Sequence, residues 1–270
     1  MPIITLTSDI GENDSLTGAV KGRLLQQVPG ANIIDNTHGL SPFNYHRSAY
    51  LARLAVQNFP SNTYHIIILN LYDERPEHLL FARHNDQYIL CADNGLITMV
   101  LEEVPQEVVS LPFGDTSRSI PGIATLFGKA IQEVESGRSL DQVGDAGVSI
   151  QVKNPLRPLL NQDNMEGQII FIDNFENVVV NITREEFEEQ RRGRNFKIVF
   201  RRDEVIDRIS ETYADVPQGE KLALFNSSGY LEIAINKGNA AGLLGLQGFS
   251  DNQQVLNNRL FYQMVKIFFE

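Results

Sequence analysis

Near the start of the chain, Ser8-Asp9-Ile10-Gly11-Glu12-Asn13-Asp14 sets carboxylates and a glycine between a β-branched run and a helical period. In an open α/β sheet, ligands sit at such strand-to-helix corners, outside the carboxyl ends of the strands. Asp9 is a candidate to accept two hydrogen bonds from a ribose diol, with helix amides behind it to face a polar group. A helix cap by Asp14 or Ser15 accounts for the same spacing without a ligand. Ala92-Asp93-Asn94-Gly95-Leu96 is a second corner of this type, and reads most simply as a turn followed by a helix start. Residues 69–78, LNLYDERPEH, gather Asp73, Glu74, Arg75, Glu77 and His78 behind an apolar run; a charged loop of this kind is usually solvated surface. In the second half, Asp173-Asn174-Phe175-Glu176-Asn177 and Asn226-Ser227-Ser228-Gly229-Tyr230 carry turn residues. Turn chemistry explains both, and two polar turns with aromatic companions are equally able to clasp a heterocycle by amide edges and ring stacking.

Other chemistries find little support. The five histidines (38, 46, 65, 78 and 84) do not fall at metal-ligand spacings, and no HExxH is present, so no metal is expected. Dinucleotide, Walker and nucleophile-elbow glycine patterns are missing too, so no cofactor is expected. His65 opens a core strand and reads as structural. Arg191, Arg192 and Arg194 with Arg201 and Arg202 form a small basic stretch, read as a solvated face. Against 34 Asp and Glu the chain has 23 Lys and Arg, a net charge of −11, which argues against nucleic-acid and anionic-membrane partners. The lone Cys91 has no intrachain disulfide partner, which suits a reducing compartment. The start carries no basic n-region, and no apolar run approaches the roughly 20 residues of a membrane helix. A cytoplasmic location is the expectation.

The elements that must hold these residues alternate in the first half. Residues 3–10 read as a strand and 15–28 as a helix, with Leu16, Ala19, Val20, Leu24, Leu25 and Val28 on one side. A strand follows at 31–37, a helix at 45–59, and a strand at 64–72 whose run Ile66-Ile67-Ile68-Leu69 suits a parallel strand covered on both faces. Residues 78–83 and 87–92 read as two strands joined at Asn85-Asp86, and 120–135 as an amphipathic helix. This predicts an α/β layered domain with a mostly parallel sheet over residues 1–155. A linker is expected at about 153–167, where Pro and Asn replace periodicity. Beyond it, strands at 168–173, 177–182, 196–201, 221–226, 230–235 and 259–269 predict a smaller, mainly-β domain over 165–270. One helix interrupts them at 184–192, with Thr183 and Glu186 at capping-box spacing.

Taken together, the turns resemble the S-adenosylmethionine (SAM) hydroxide adenosyltransferase family, the SAM hydrolases related to SAM-dependent fluorinase and chlorinase. ITLTSDIGENDSLTGAVKG resembles the family's opening T-T-D-F-G-x-x-D-x-x-V-G-x-x-K-G, and NIIDNTHGL, CADNGLIT, IIFIDNFENVVVNI and NSSGYLEIAINKGNAAGLLGL resemble later segments in order. The resemblance implies a SAM site at an interdomain and intersubunit cleft of a homotrimer, with no cofactor besides SAM itself. It implies that Asp9 binds the ribose hydroxyls. Asp14, Asp173 and Ser227 would lie near the methionine part, Phe175 and Asn177 at the adenine, and Ser228 is a further ligand-binding candidate. The reaction implied is displacement at the ribose C5′. Hydrolase members carry an Asp, an Arg and a His that position and deprotonate water; here those positions hold Asn70, Glu77 and Ser119. His78 and Asp73 are the candidates to replace the base. Asp73, Glu74 and Glu77 argue against a halide pocket by repulsion. Three readings follow: a SAM hydrolase of reduced activity, a non-catalytic SAM- or nucleoside-binding relative, and an enzyme with another acceptor.

Overall fold

A computed structural model describes residues 1–72, 77–201, 204–246 and 264–270. The chain divides into two compact units, Met1–Pro155 and Leu156–Glu270. The first unit begins β1 (Ile3–Ser8), α1 (Leu16–Gln27), β2 (Asn32–Thr37), α2 (Tyr45–Asn58) and β3 (Thr63–Ile68). It continues with the hairpin β4 (His78–His84) and β5 (Gln87–Ala92), then α3 (Leu96–Leu101), β6 (Glu107–Pro112), α4 (Ile120–Glu135) and α5 (Leu140–Val143). The strands form one six-stranded sheet in the order β2-β1-β3-β5-β4-β6. β1, β2, β3 and β5 are parallel, and β4 runs against both β5 and β6. The expected mostly parallel α/β layer is therefore present.

Both sheet faces are covered, which is why the strands are apolar on both sides. On one face Val20 and Leu24 of α1 and Ile123, Phe127 and Ile131 of α4 join Ile66 in a buried cluster. On the other, Ala49 and Ala52 of α2 and Ile97 of α3 meet Ile67, Leu80 and Cys91. The α1 stripe is narrower than its periodicity predicts: Val20, Leu24 and Val28 are buried, and Ala19 and Leu25 are exposed. β3 stops at Ile68 and not at residue 72, since Asn70 turns the chain with φ 48°. The helix start expected at Leu96 opens α3, and β6 is an addition to the sequence reading. α3 is buried on every side, apolar but for Thr98, and shows no helical period, while β6 is a short run closed by Pro112. Cys91 is buried in β5, and burial together with Asp93 pushes its thiol pKa up.

The second unit contains β7 (Leu159–Leu160), β8 (Asn164–Ile172), β9 (Val178–Thr183), α6 (Arg184–Arg191), β10 (Phe196–Arg201) and β11 (Glu204–Ile206). A single 3-10 turn at Tyr213–Asp215, β12 (Lys221–Phe225), β13 (Tyr230–Ile235), α7 (Ala240–Leu243) and β14 (Met264–Phe269) complete it. Its strands follow the order β11-β10-β14-β8-β9-β13-β12, antiparallel throughout, with β7 beside β8. This is the mainly-β domain expected. Thr183 and Glu186 form the capping box that starts α6. That helix drops Phe187 into an aromatic cluster, with ring centroids 5.1 Å from Phe196 and 5.4 Å from Phe225. β8 begins at Asn164, inside the Pro- and Asn-rich stretch, and residues 259–263 of the expected last strand lie outside the described residues. Among the described residues no helix is long and apolar enough to cross a membrane, and no group of His, Cys, Asp and Glu is arranged to hold a metal ion.

A buried polar pair crosses the first sheet. His65 Nδ1 lies 2.8 Å from Thr5 Oγ1, and desolvation pulls the imidazole down to a pKa of about 4. The unfolded imidazole takes up its proton near pH 6.5 and the folded one only near 4, so stability falls as pH drops through that interval. In urea titrations at pH 7 and pH 4.5, the stability gap between wild type and His65→Gln is expected to shrink by about 2–3 kcal/mol at the lower pH, at roughly 1.4 kcal/mol per unit of pKa shift. A gap that stays constant contradicts a neutral buried His65.

Candidate functional site

The carboxyl ends of β1, β2, β3 and β5 share one edge of the first sheet, and the polar residues of that unit gather there. Asp9 follows β1. Its N–H donates to Ile68 O at 3.0 Å, and its Oδ2 accepts the Asn70 N–H at 2.7 Å. The left-handed conformation of Asn70, tolerable for an asparagine, turns that N–H toward Asp9. Burial raises the Asp9 pKa, outweighing the Asn70 hydrogen bond that lowers it. The Asn70 side-chain amide reaches the Tyr45 hydroxyl at 3.3 Å.

The Asp9 loop is latched to the loop after β2. Leu40 N–H donates to Ser8 O (3.0 Å), Gly11 N–H donates to His38 O (2.9 Å), and Ser8 Oγ meets His38 Nδ1 at 2.7 Å. The other His38 nitrogen faces Asp35 Oδ1 at 3.0 Å, and Asp35 Oδ2 meets Lys21 Nζ at 2.5 Å. Burial opposes ionisation of Asp35, but Lys21 and His38 together hold its carboxyl below the ordinary range. Ser, His and Asp in contact suggest a nucleophile relay. Ser8 is only 1 % exposed, so no substrate reaches it, and the three act as a clamp on the backbone that carries Asp9.

The other expected residues of this unit fall as follows. Asp14 Oδ1 accepts the Leu16 N–H at 2.7 Å, so it does the capping work at the start of α1, where the Ser15 side chain makes no cap bond. Asn94 bridges the corner after β5, donating to Leu69 O and accepting from Leu96 N–H. Gly95 has φ 80°, and a Cβ there would lie 2.5 Å from Lys153 Cγ. The Lys153 stem fills that notch and sets its ammonium 3.8 Å from the Tyr45 ring centroid. His78 Nε2 contacts Asp93 Oδ2 at 3.1 Å, and Asp93 Oδ1 accepts the Gln151 N–H at 2.8 Å. Ser119 caps α4, accepting the Gly122 N–H at 3.3 Å, and Glu77 is exposed. Asp73, Glu74 and Arg75 lie outside the described residues.

In the second unit, the turn between β8 and β9 is built by its own carboxylate. Asp173 Oδ1 accepts from Phe175 N–H (2.9 Å) and Asn177 N–H (2.8 Å), while Oδ2 accepts from Asn177 Nδ2 (3.1 Å). Ala241 N–H donates to Glu176 O at 2.9 Å, tying α7 to the turn. The Phe175 ring at the tip is 76 % exposed. In the turn between β12 and β13, Asn226 Oδ1 accepts the N–H groups of Ser228 and Tyr230, leaving Ser227 exposed. Glu232 stands between the two turns. It accepts Tyr213 Oη–H at 2.7 Å and the Asn226 amide at 3.4 Å; burial, aided by the nearby Asp173 charge, raises its pKa. Burial, Glu232 and Asp173 push the Tyr213 hydroxyl up likewise. Asp173 and Asn226 thus flank one buried carboxylate. Sequence reasoning missed this: a lone Glu in the apolar run YLEIAI was the available signal. It also missed the Ser8–His38–Asp35 clamp and the Lys153 notch, whose members lie far apart in sequence.

Comparisons with known proteins bear on the family and the fold. Residues 4–144 match the SAM hydroxide adenosyltransferase N-terminal domain, and residues 167–251 match the C-terminal domain of the same family. The chain is 28 % identical over 256 residues to the (R)-S-adenosyl-L-methionine hydrolase of Methanocaldococcus jannaschii, covering 91 % of this chain and 93 % of the relative. It is 26 % identical over 280 residues to a fluorinase of an Actinoplanes species, covering 87 % and 91 %. A crystal structure of a conserved protein from Thermotoga maritima shares the fold, with a TM-score of 0.80, 24 % identity, and coverage of 98 % and 99 %. With both of its domains matched in order, the first over more than half of its length, the chain belongs to the SAM hydroxide adenosyltransferase family.

Proposed function

We propose that this chain binds SAM and hydrolyses it to adenosine and methionine by attack of water at the ribose C5′. The observation that carries the reading is Asp9, a half-buried carboxylate held by the Asn70 N–H at the carboxyl edge of a parallel sheet. A ribose diol offers two O–H donors, which a carboxylate fixed in this way accepts at once. The ligand-contacting residues proposed fall in both units: Asp9 and Asp14 in the first, and Asp173, Phe175, Asn177, Ser227 and Ser228 in the second. Phe175 offers an exposed ring for adenine, and Ser227 an exposed hydroxyl. Asp14 caps the start of α1 through one carboxylate oxygen and has its other oxygen for the ligand. The reading needs no cofactor, since a sulfonium is already an excellent leaving group and orientation with desolvation does much of the work.

A second reading, a SAM- or nucleoside-binding protein without turnover, is favoured by one observation. Asn70 is neutral, Glu77 is exposed, and Ser119 is engaged in capping α4, so none of the three resembles a water-activating group. Chromatographic detection of adenosine after incubating SAM with purified protein separates the two. Adenosine release supports hydrolysis. Binding without adenosine supports the second reading.

Calorimetry tests the ligand itself. Asp9→Ala is expected to weaken SAM or adenosine binding by about tenfold to 150-fold, the equivalent of roughly 1.5–3 kcal/mol for a charge-assisted hydrogen bond. No heat from the wild type with SAM, S-adenosylhomocysteine or adenosine at millimolar concentration contradicts the proposal. Because the Asp9 pKa is raised, affinity should fall on acidification at a higher pH than an ordinary aspartate would give, and Asp9→Asn should flatten that dependence. An acid limb of equal position in Asp9→Asn assigns it to another group. Self-association as a homotrimer is part of the proposal, and light scattering across a concentration series with SAM present should show 90 kDa-class particles, about three times the chain mass of 30.3 kDa. A chain that stays monomeric removes that part.

A further inference from the structure

His78 and Asp93 stand side by side at the edge that carries Asp9. His78 opens β4 and Asp93 follows β5, and the register Leu79 to Ala92 makes them neighbours. β4 runs against the parallel strands, so its first residue lies where β1, β3 and β5 end. An ionised Asp93 can only accept, so the 3.1 Å contact places the proton on His78 Nε2 and leaves Nδ1 as the nitrogen with a lone pair. Asp93 is itself fixed by the Gln151 N–H on its other oxygen. The pair is graded in exposure: the Asp93 side chain is 10 % accessible and the His78 side chain 29 %. A shielded anchor therefore orients an imidazole that water can reach. Of the other histidines, His38, His65 and His84 are buried, and His46 lies half-buried in the first turn of α2.

We propose that His78, oriented by Asp93, is the general base for the attacking water; this rests on the hydrolytic reading above. As the water oxygen bonds to C5′, the C5′–S bond breaks and its electron pair leaves on sulfur, neutralising the sulfonium as methionine departs. One water proton passes to His78 Nδ1, the other stays on the new 5′-hydroxyl of adenosine, and Asp93 stabilises the imidazolium. The strand order β1-β3-β5-β4 puts the backbones of Asp9 and His78 three spacings apart, roughly 14 Å at about 4.8 Å per strand. A ribose anchored on Asp9, with its C5′ and a water beyond, bridges that span.

The test uses the full chain and follows adenosine release beside SAM binding by calorimetry. His78→Gln should lower kcat by about 10²- to 10⁴-fold while SAM affinity and melting temperature stay close to wild type. Added imidazole should restore part of the rate to His78→Gly, and Asp93→Asn should lower kcat with little change in KM. A merely structural pair would move the melting temperature or KM and would not respond to imidazole; that pattern overturns the proposal. His78→Gln turning over at the wild-type rate overturns the base alone and leaves hydrolysis standing. A wild type that binds SAM but releases no adenosine overturns the hydrolytic reading, and the base with it.

Discussion

A parallel sheet covered on both faces leaves its polar groups a single place to meet ligand and water, the edge where the strands end. In the first unit that constraint governs nearly everything of interest. The faces of β1, β3 and β5 go largely to the two apolar clusters beneath α1 with α4 and α2 with α3, with Thr5 and His65 as a buried polar pair among them. Polar residues are therefore pressed into the loops after β1, β2, β3 and β5, where each must find a partner or pay for its desolvation. Asp9 finds the Asn70 amide, Ser8 finds His38, Asn94 finds Leu69 O, and Asp93 finds both His78 and Gln151. The edge is a continuous hydrogen-bonded rim, and a carboxylate displayed on such a rim is rigid before any ligand arrives. That is how preorganisation saves ordering cost on binding.

The second unit solves the same problem with antiparallel hairpins. Its two polar turns are shaped from within, by Asp173 in one and Asn226 in the other, and both meet Glu232. A buried carboxylate beside another acid is costly, and Glu232 is held there by the Tyr213 hydroxyl and the Asn226 amide. Turn geometry and electrostatics are thus coupled: the groups that fix the loops are the ones that set the local charge. An acidic chain with a net charge of −11 suits a ligand that carries a sulfonium, since the overall field is attractive to a cation.

The layered sheet was legible because its strands announce themselves as apolar runs and α4 as a clean stripe opened by Ser119 and Pro121. α3 was legible only as a helix start after Asn94, since its short run LITMVL, one threonine among five apolar residues, fits a buried strand as well as a buried helix. The corners that carry Asp9, Asp93, Asp173 and Asn226 could be placed from turn chemistry and order along the chain. What their side chains do could not. Ser8 and His38 are 30 positions apart, and Asp93 contacts Gln151 across 58, so no local spacing encodes these bonds. The charged loop illustrates the opposite error: His78, read alongside solvated neighbours, pairs with Asp93 because β4 and β5 are in register there.

Gly95 and Lys153 occupy one another's space, with the lysine stem lying where any other residue would project its Cβ. Thr98 holds the lysine backbone by both its N–H and its C=O, which fixes where the stem begins. A side chain at 95 would therefore meet two obstacles at once, the left-handed backbone and the Lys153 stem. A lineage that gains a side chain at 95 must also displace that stem, and with it the cation over Tyr45. The corner beside the ligand edge thus ties together two letters of the sequence 58 residues apart.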